Sequence, residues 1–103
     1  MYNDYDYDYD YFINKFNNIP DELWTTRSFR KPGGRCCAYG HCGATGRVDA
    51  IETQELVSLR ELGQGAWLSM ANDGDLPEYN QTTPRERVVA YLIDLKQQKD
   101  VLK

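Results

Sequence analysis

Apolar residues recur at helical spacing in three stretches of this chain, with irregular segments between them. Tyr5, Tyr9, Phe12, Ile13 and Phe16 fall at i, i+4, i+7, i+8 and i+11, which places them on one face of a helix that Pro20 stops. The same stretch opens on alternating Tyr and Asp, a pattern that also fits a strand of period two with tyrosines on one side. Helix is the stronger reading, because carboxylates near a helix N-terminus meet the positive end of its dipole. The like-charge pairs Asp4/Asp8 and Asp6/Asp10 oppose it by roughly a few tenths of a kcal/mol each.

The second periodic stretch holds Leu56, Leu59 and Leu62 before Gly63, and Asp49 with Glu52 three residues on predicts a capping-box start. The third is the clearest: Thr83 as N-cap, Pro84 at the first helical position and Glu86 form a capping box ahead of Val88, Val89, Leu92 and Leu95. Between these, Asp21 to Trp24 reads as one turn and residues 25–34 as an irregular basic connection. Cys36 to Gly43, all small residues apart from Tyr39 and His41, reads as a short helix stopped by Gly43. Ala66 to Ala71 is too short to type by period, and Asn72 to Pro77 is turn chemistry. The expected fold is mainly α: one domain of four or five short helices over residues 12–103, preceded by an acidic Tyr-Asp segment at residues 1–11.

A length of 103 residues allows one modest core, and 41% hydrophobic with 13% aromatic content is enough to fold it. The net charge of −4 argues against a general nucleic-acid binder. The charge is polarised: residues 1–22 sum to −5 and residues 23–48 to +5, blocks able to pair within the fold. No apolar run approaches a membrane span. Three cysteines, two adjacent, do not read as a secreted disulfide framework, so free thiols in a cytoplasmic setting are expected.

Cys36, Cys37, His41 and Cys42 offer four metal-ligand types in seven residues, but zinc sites draw paired ligands from separated knuckles, and the spacing here is wrong. No metal or cofactor is expected. An enzymatic alternative would use Cys37 or Cys42 as nucleophile, His41 as base and Asn72 or Asp73 as orienter, in the form Cys37, His41, Asp73. The blander reading is a tightly packed helix of small residues, with His41 hydrogen-bonded to Asn72 or Asp73. Asn72-Asp73-Gly74-Asp75 lacks the full ligand order of a calcium loop. No Walker loop, dinucleotide fingerprint or Gly-x-Ser-x-Gly elbow is present.

Three readings stand for the Tyr-Asp segment. It is a solvated tail, or it folds back onto Arg27 to Arg35, or it mimics nucleic acid. In the last, Asp4, Asp6, Asp8 and Asp10 supply charge at phosphate-like spacing and Tyr5, Tyr7, Tyr9 and Tyr11 supply contact area. A different alternative makes Arg27, Arg30, Lys31 and Arg35 an anion-binding site.

From about Phe12 to Leu95 the chain resembles small uncharacterised proteins of bacteria, phages and prophages grouped as a domain of unknown function. The resemblance rests on Trp24-Thr25, Cys37-Ala38-Tyr39-Gly40-His41-Cys42-Gly43, Asn72-Asp73-Gly74 and Thr83-Pro84-Arg85-Glu86-Arg87-Val88. It implies a phage or mobile-element setting and no particular reaction, and the Tyr-Asp repeat lies outside it. The resulting expectation is a non-enzymatic binding protein. Its sharpest form is an anti-defence, anti-CRISPR-like inhibitor whose acidic aromatic end occupies a basic surface on a host protein, with no direct nucleic-acid or membrane contact.

Overall fold

A computed structural model describes residues 7–101. In chain order these form α1 (Tyr9–Asn17), a single 3-10 turn (Asp21–Leu23), strands β1 (Arg30–Lys31) and β2 (Arg35–Cys36), α2 (Ala38–His41), α3 (Gln54–Leu62), α4 (Ala66–Asp73) and α5 (Pro84–Val101). The described fold is mainly α, and both α1 and α4 pack against α5. Phe12 and Phe16 of α1, Leu59 of α3, Leu68 of α4 and Val88 and Leu92 of α5 meet in the solvent-free centre. Removing their apolar surface from water is the main force holding these helices together, since all but α5 are too short to be stable alone.

The periodic stretches at the two ends become helices for the reasons their sequences suggest. Asp8 caps α1, its side chain accepting from the Tyr11 N–H at 2.8 Å. Thr83 and Glu86 satisfy each other's backbone N–H groups at 3.3 and 3.2 Å at the start of α5. Arg85 then ties the two helices together, donating to Asp21 at 2.7 Å and to Asn17 at 2.8 Å. Tyr5, the first member of the expected α1 face, lies outside the described residues.

The middle of the chain departs from expectation in four places. Asp49 and Glu52 do not start α3; they are taken by Arg47 and Arg60, and Thr53 caps the helix instead, accepting from the Leu56 N–H at 3.1 Å. The basic connection contains a hairpin, pairing Arg30 with Cys36 and Lys31 with Arg35. Cys36 is therefore extended, Cys37 is the N-cap, and the helix is only Ala38–His41. Finally, α4 runs through Asn72 and Asp73 before Gly74 closes it in the left-handed conformation, φ +84°. Local turn chemistry loses here to tertiary bonds, because Arg87 reaches across from α5 and donates to the carbonyls of Ala71 and Asn72 at 3.2 and 2.9 Å. The Asn72 carbonyl is one that a helix end leaves without a backbone donor, while that of Ala71 also accepts from the Gly74 N–H at 3.2 Å.

The other end of α4 is held by three tyrosines. The hydroxyls of Tyr9 (α1), Tyr91 (α5) and Tyr39 (α2) donate to the carbonyls of Leu62, Gly63 and Gly65 at 3.1, 3.0 and 2.5 Å. Every neighbouring helix thus grips the turn between α3 and α4, in which Gln64 is held at φ +61°. Helix α4 is fixed at both ends by side chains from elsewhere in the chain.

Helix α2 also approaches the hairpin closely. A Cβ on Gly40 would stand 1.9 Å from the Phe29 carbonyl oxygen, which already accepts from the Cys37 N–H at 3.2 Å. Gly40→Ala is expected to lower stability by about 1–3 kcal/mol in urea unfolding, by forcing these backbones apart. An unchanged unfolding midpoint would contradict the contact.

Candidate functional site

Asn72 is wholly buried and polar, so its side chain must find partners inside the protein. Its Oδ1 accepts from the Ala38 N–H at the start of α2, at 3.1 Å. Its Nδ2 donates to the Thr25 carbonyl at 2.9 Å and to Asp73 Oδ1 at 3.1 Å. The same Asp73 oxygen accepts from the Arg27 N–H at 3.0 Å. Two consecutive residues of α4 therefore tie down both the segment after Trp24 and the first turn of α2.

Arg27 takes up the left-handed conformation, φ +68°, a strained geometry for a residue with a side chain. That turn carries its guanidinium onto Asp75 in a two-pronged pair at 2.8 and 3.0 Å. It also leads the chain into Ser28 and Phe29, and Phe29 is 39% exposed. Phe29 is the common wall of three adjoining hollows. The first, of about 400 Å³, is lined by Arg27, Ser28, Phe29, Cys37, Ser69 and Asp73. The second, of about 230 Å³, runs past Ser69, Tyr39 and Ala44 to Arg60. The third, of about 470 Å³, lies between Arg60, Leu56 and the loop before α3, where Val48 and Ile51 stand almost wholly in solvent.

The residues singled out from sequence are distributed differently. Of the Tyr-Asp segment, Asp4, Tyr5 and Asp6 lie outside the described residues. Tyr7 packs edge-on to Tyr11 and stacks on Phe12, Asp8 caps α1 and Tyr9 holds the Leu62 carbonyl. Asp10 pairs with Lys96 at 2.6 Å, and Tyr11 donates to Glu55, which also holds Lys15. The described half of the segment thus begins α1 and is engaged with α3 and α5. It does not fold back on the basic stretch, and the two opposed charge blocks do not pair with each other among the described residues. Arg27 is paired with Asp75, whereas among the described residues Arg30 and Arg35 donate only to the Cys36 sulfur (4.0 Å) and the Pro32 carbonyl (3.3 Å). Lys31 sits opposite Arg35 in the hairpin.

Cys37 caps α2 and His41 ends it, so the His41 N–H donates to the Cys37 carbonyl at 2.9 Å, but among the described residues no hydrogen bond joins the thiol to the imidazole. The Cys37 sulfur accepts from the Gly40 N–H at 3.5 Å as a helix cap, and burial pushes its pKa up. Burial likewise pushes the Cys42 thiol up to about 12. The His41 ring packs edge-on against Trp24 at 4.7 Å with its Nε2 buried and unpaired, and burial holds its pKa below the ordinary imidazole value. It does not bond to Asn72 or Asp73; Asn72 Oδ1 and Asp73 Oδ1 accept instead from the backbone N–H groups of Ala38 and Arg27. Protonated, buried thiols beside an unaligned imidazole are packing residues, not a nucleophile and its base. Among the described residues no three His, Cys, Asp or Glu side chains converge to hold a metal, and no helix is long and apolar enough to cross a membrane.

No protein family, curated protein or solved structure matches this chain. Phe29, Ser69, Val48 and Ile51 were not candidates from sequence. The one available signal was an isolated aromatic residue inside a basic, glycine-rich connection.

The cysteine environment sets an alkaline limit. Cys42 ordinarily ionises near pH 9.0 and keeps its proton to about 12 in the fold, so between those values the unfolded chain loses its proton first. Stability should be level below pH 9 and fall as pH rises above it. Buried Tyr39, also raised, adds the same sign at higher pH. Urea midpoints measured from pH 7.5 to 10.5 test this, and the decline should be shallower in Cys42→Ala. A level profile throughout would contradict the burial of these groups.

Proposed function

We propose that the protein acts by binding another protein through the surface centred on Phe29. The observation that carries this reading is the junction of three hollows at one half-exposed aromatic ring, next to a loop that holds Val48 and Ile51 in solvent. A small chain gains nothing for its own stability by leaving these side chains out. Aromatic anchors beside pockets, with adaptable apolar neighbours, are what protein interfaces use. The net charge of −4 favours a partner with a basic surface. In the phage or mobile-element setting that the sequence resemblance implies, such a partner is a host protein, and an anti-defence inhibitor is the specific form this reading takes.

Nucleic-acid mimicry by the Tyr-Asp segment is the competing form of the same idea. Its described tyrosines and aspartates already serve the fold, which favours the Phe29 surface as the place where a partner is met.

Capture from bacterial lysate at low and high salt separates the two. The comparison is between the full chain, a chain lacking residues 2–6, and a Val48→Ser/Ile51→Ser double variant. Both substituted side chains are exposed, so folding should change by no more than about 0.5 kcal/mol each. A partner retained by the shortened chain and lost with the double variant is expected. Loss with the shortened chain alone would overturn the Phe29 reading.

A further inference from the structure

We propose that the hollow between Phe29 and Asp73 receives a cationic side chain, an arginine or lysine presented by the partner. This deepens the binding reading above and rests on it.

The chemistry of the walls points one way. Asp73 is held in place through Oδ1 alone, which accepts from the Arg27 N–H and from Asn72 Nδ2. Among the described residues no donor is bonded to Oδ2, and the Ser28 and Ser69 hydroxyls that line the same hollow have no hydrogen-bond partner either. The carboxylate is thus fixed by two internal bonds while half its accepting capacity is left over. Phe29 also lines the hollow, and an aromatic residue at its wall can add attraction for a cation.

Arg27 also lines the hollow and would at first suggest an anion. Its guanidinium, however, is engaged by both oxygens of Asp75, so its charge is already matched. Cys37, the remaining wall, is a protonated thiol and contributes no charge. Asp73 also feels the Arg27 charge, but with Asp75 and Asp73 both facing one guanidinium the site keeps one negative charge in excess, within a chain that is itself net negative. A volume of about 400 Å³ accommodates one long side chain and its head group. A carboxylate with two hydroxyls beside it offers acceptors enough for a guanidinium or an ammonium.

The direct test is a titration followed by amide chemical shifts, using N-acetyl-arginine amide, N-acetyl-lysine amide and, as uncharged isostere, N-acetyl-citrulline amide. Saturable shifts at Ser28, Phe29, Ser69 and Asp73 are expected with either cation and not with citrulline. Asp73→Asn keeps an oxygen for Arg27 and Asn72 while removing the charge, and should weaken cation binding about ten-fold, the equivalent of one charge-assisted hydrogen bond. Ser69→Leu fills the hollow while leaving the Asp73 carboxylate and its charge in place, and should abolish binding even if Asp73→Asn proves unstable. Absence of saturable shifts in the unsubstituted protein, or equal binding by citrulline, would overturn the proposal. So would a Ser69→Leu chain that still binds. If the lysate partner depends on Val48 and Ile51 while the cations do not bind, the interface reading stands and only the cation site falls.

Discussion

The buried amide of Asn72 is the constraint on which the rest of the structure turns. A wholly buried side-chain amide is costly unless satisfied, and here it is satisfied by backbone groups more than thirty residues away in sequence. Those bonds place α2 and the segment after Trp24 against one end of α4. Asp73 extends the grip by one residue and holds Arg27 in its strained turn. Phe29, two residues beyond that turn, is where it is because of this anchoring. The same pair of residues therefore builds the core junction and the hollow beside it.

Helix α4 can serve as an anchor because it is itself held. Three tyrosine hydroxyls from α1, α2 and α5 bond the carbonyls before it, and Arg87 bonds the carbonyls at its end. Eight residues would make a marginal helix alone. In this chain its termini are capped by long-range side chains, which explains how so short an element can carry the geometry of a surface. Part of the aromatic content that made the chain look foldable is spent in this way, on polar tips that reach backbone as well as on rings that fill the core.

The two ends of the chain were legible in sequence because their signals are local. Thr83, Pro84 and Glu86 specify the start of α5, and Phe12, Ile13 and Phe16 mark the buried side of α1. The middle was not legible, for the opposite reason. Asn72 and Asp73 look like turn residues, and only the arrival of Arg87 and the backbone of Thr25 and Ala38 makes them the end of a helix. Glu52 looks like a cap until Arg60 takes it. Phe29 carries no periodic signal at all, since its place depends on a bond between Arg27 and Asp73 that spans 46 residues. The Tyr-Asp repeat has a structural use that its pattern does not announce: its described residues cap α1, brace α3 and pair with α5.

Residue-resolved amide hydrogen exchange in the folded protein tests the central claim most directly, because the anchoring bonds end on two identifiable N–H groups. The Ala38 and Arg27 amides, which donate to Asn72 and Asp73, should exchange slowly, with protection approaching that of the buried turns of α5 around Leu92. Exchange of both amides at the rate of an open loop would show that α4 does not hold these segments, and would contradict the account.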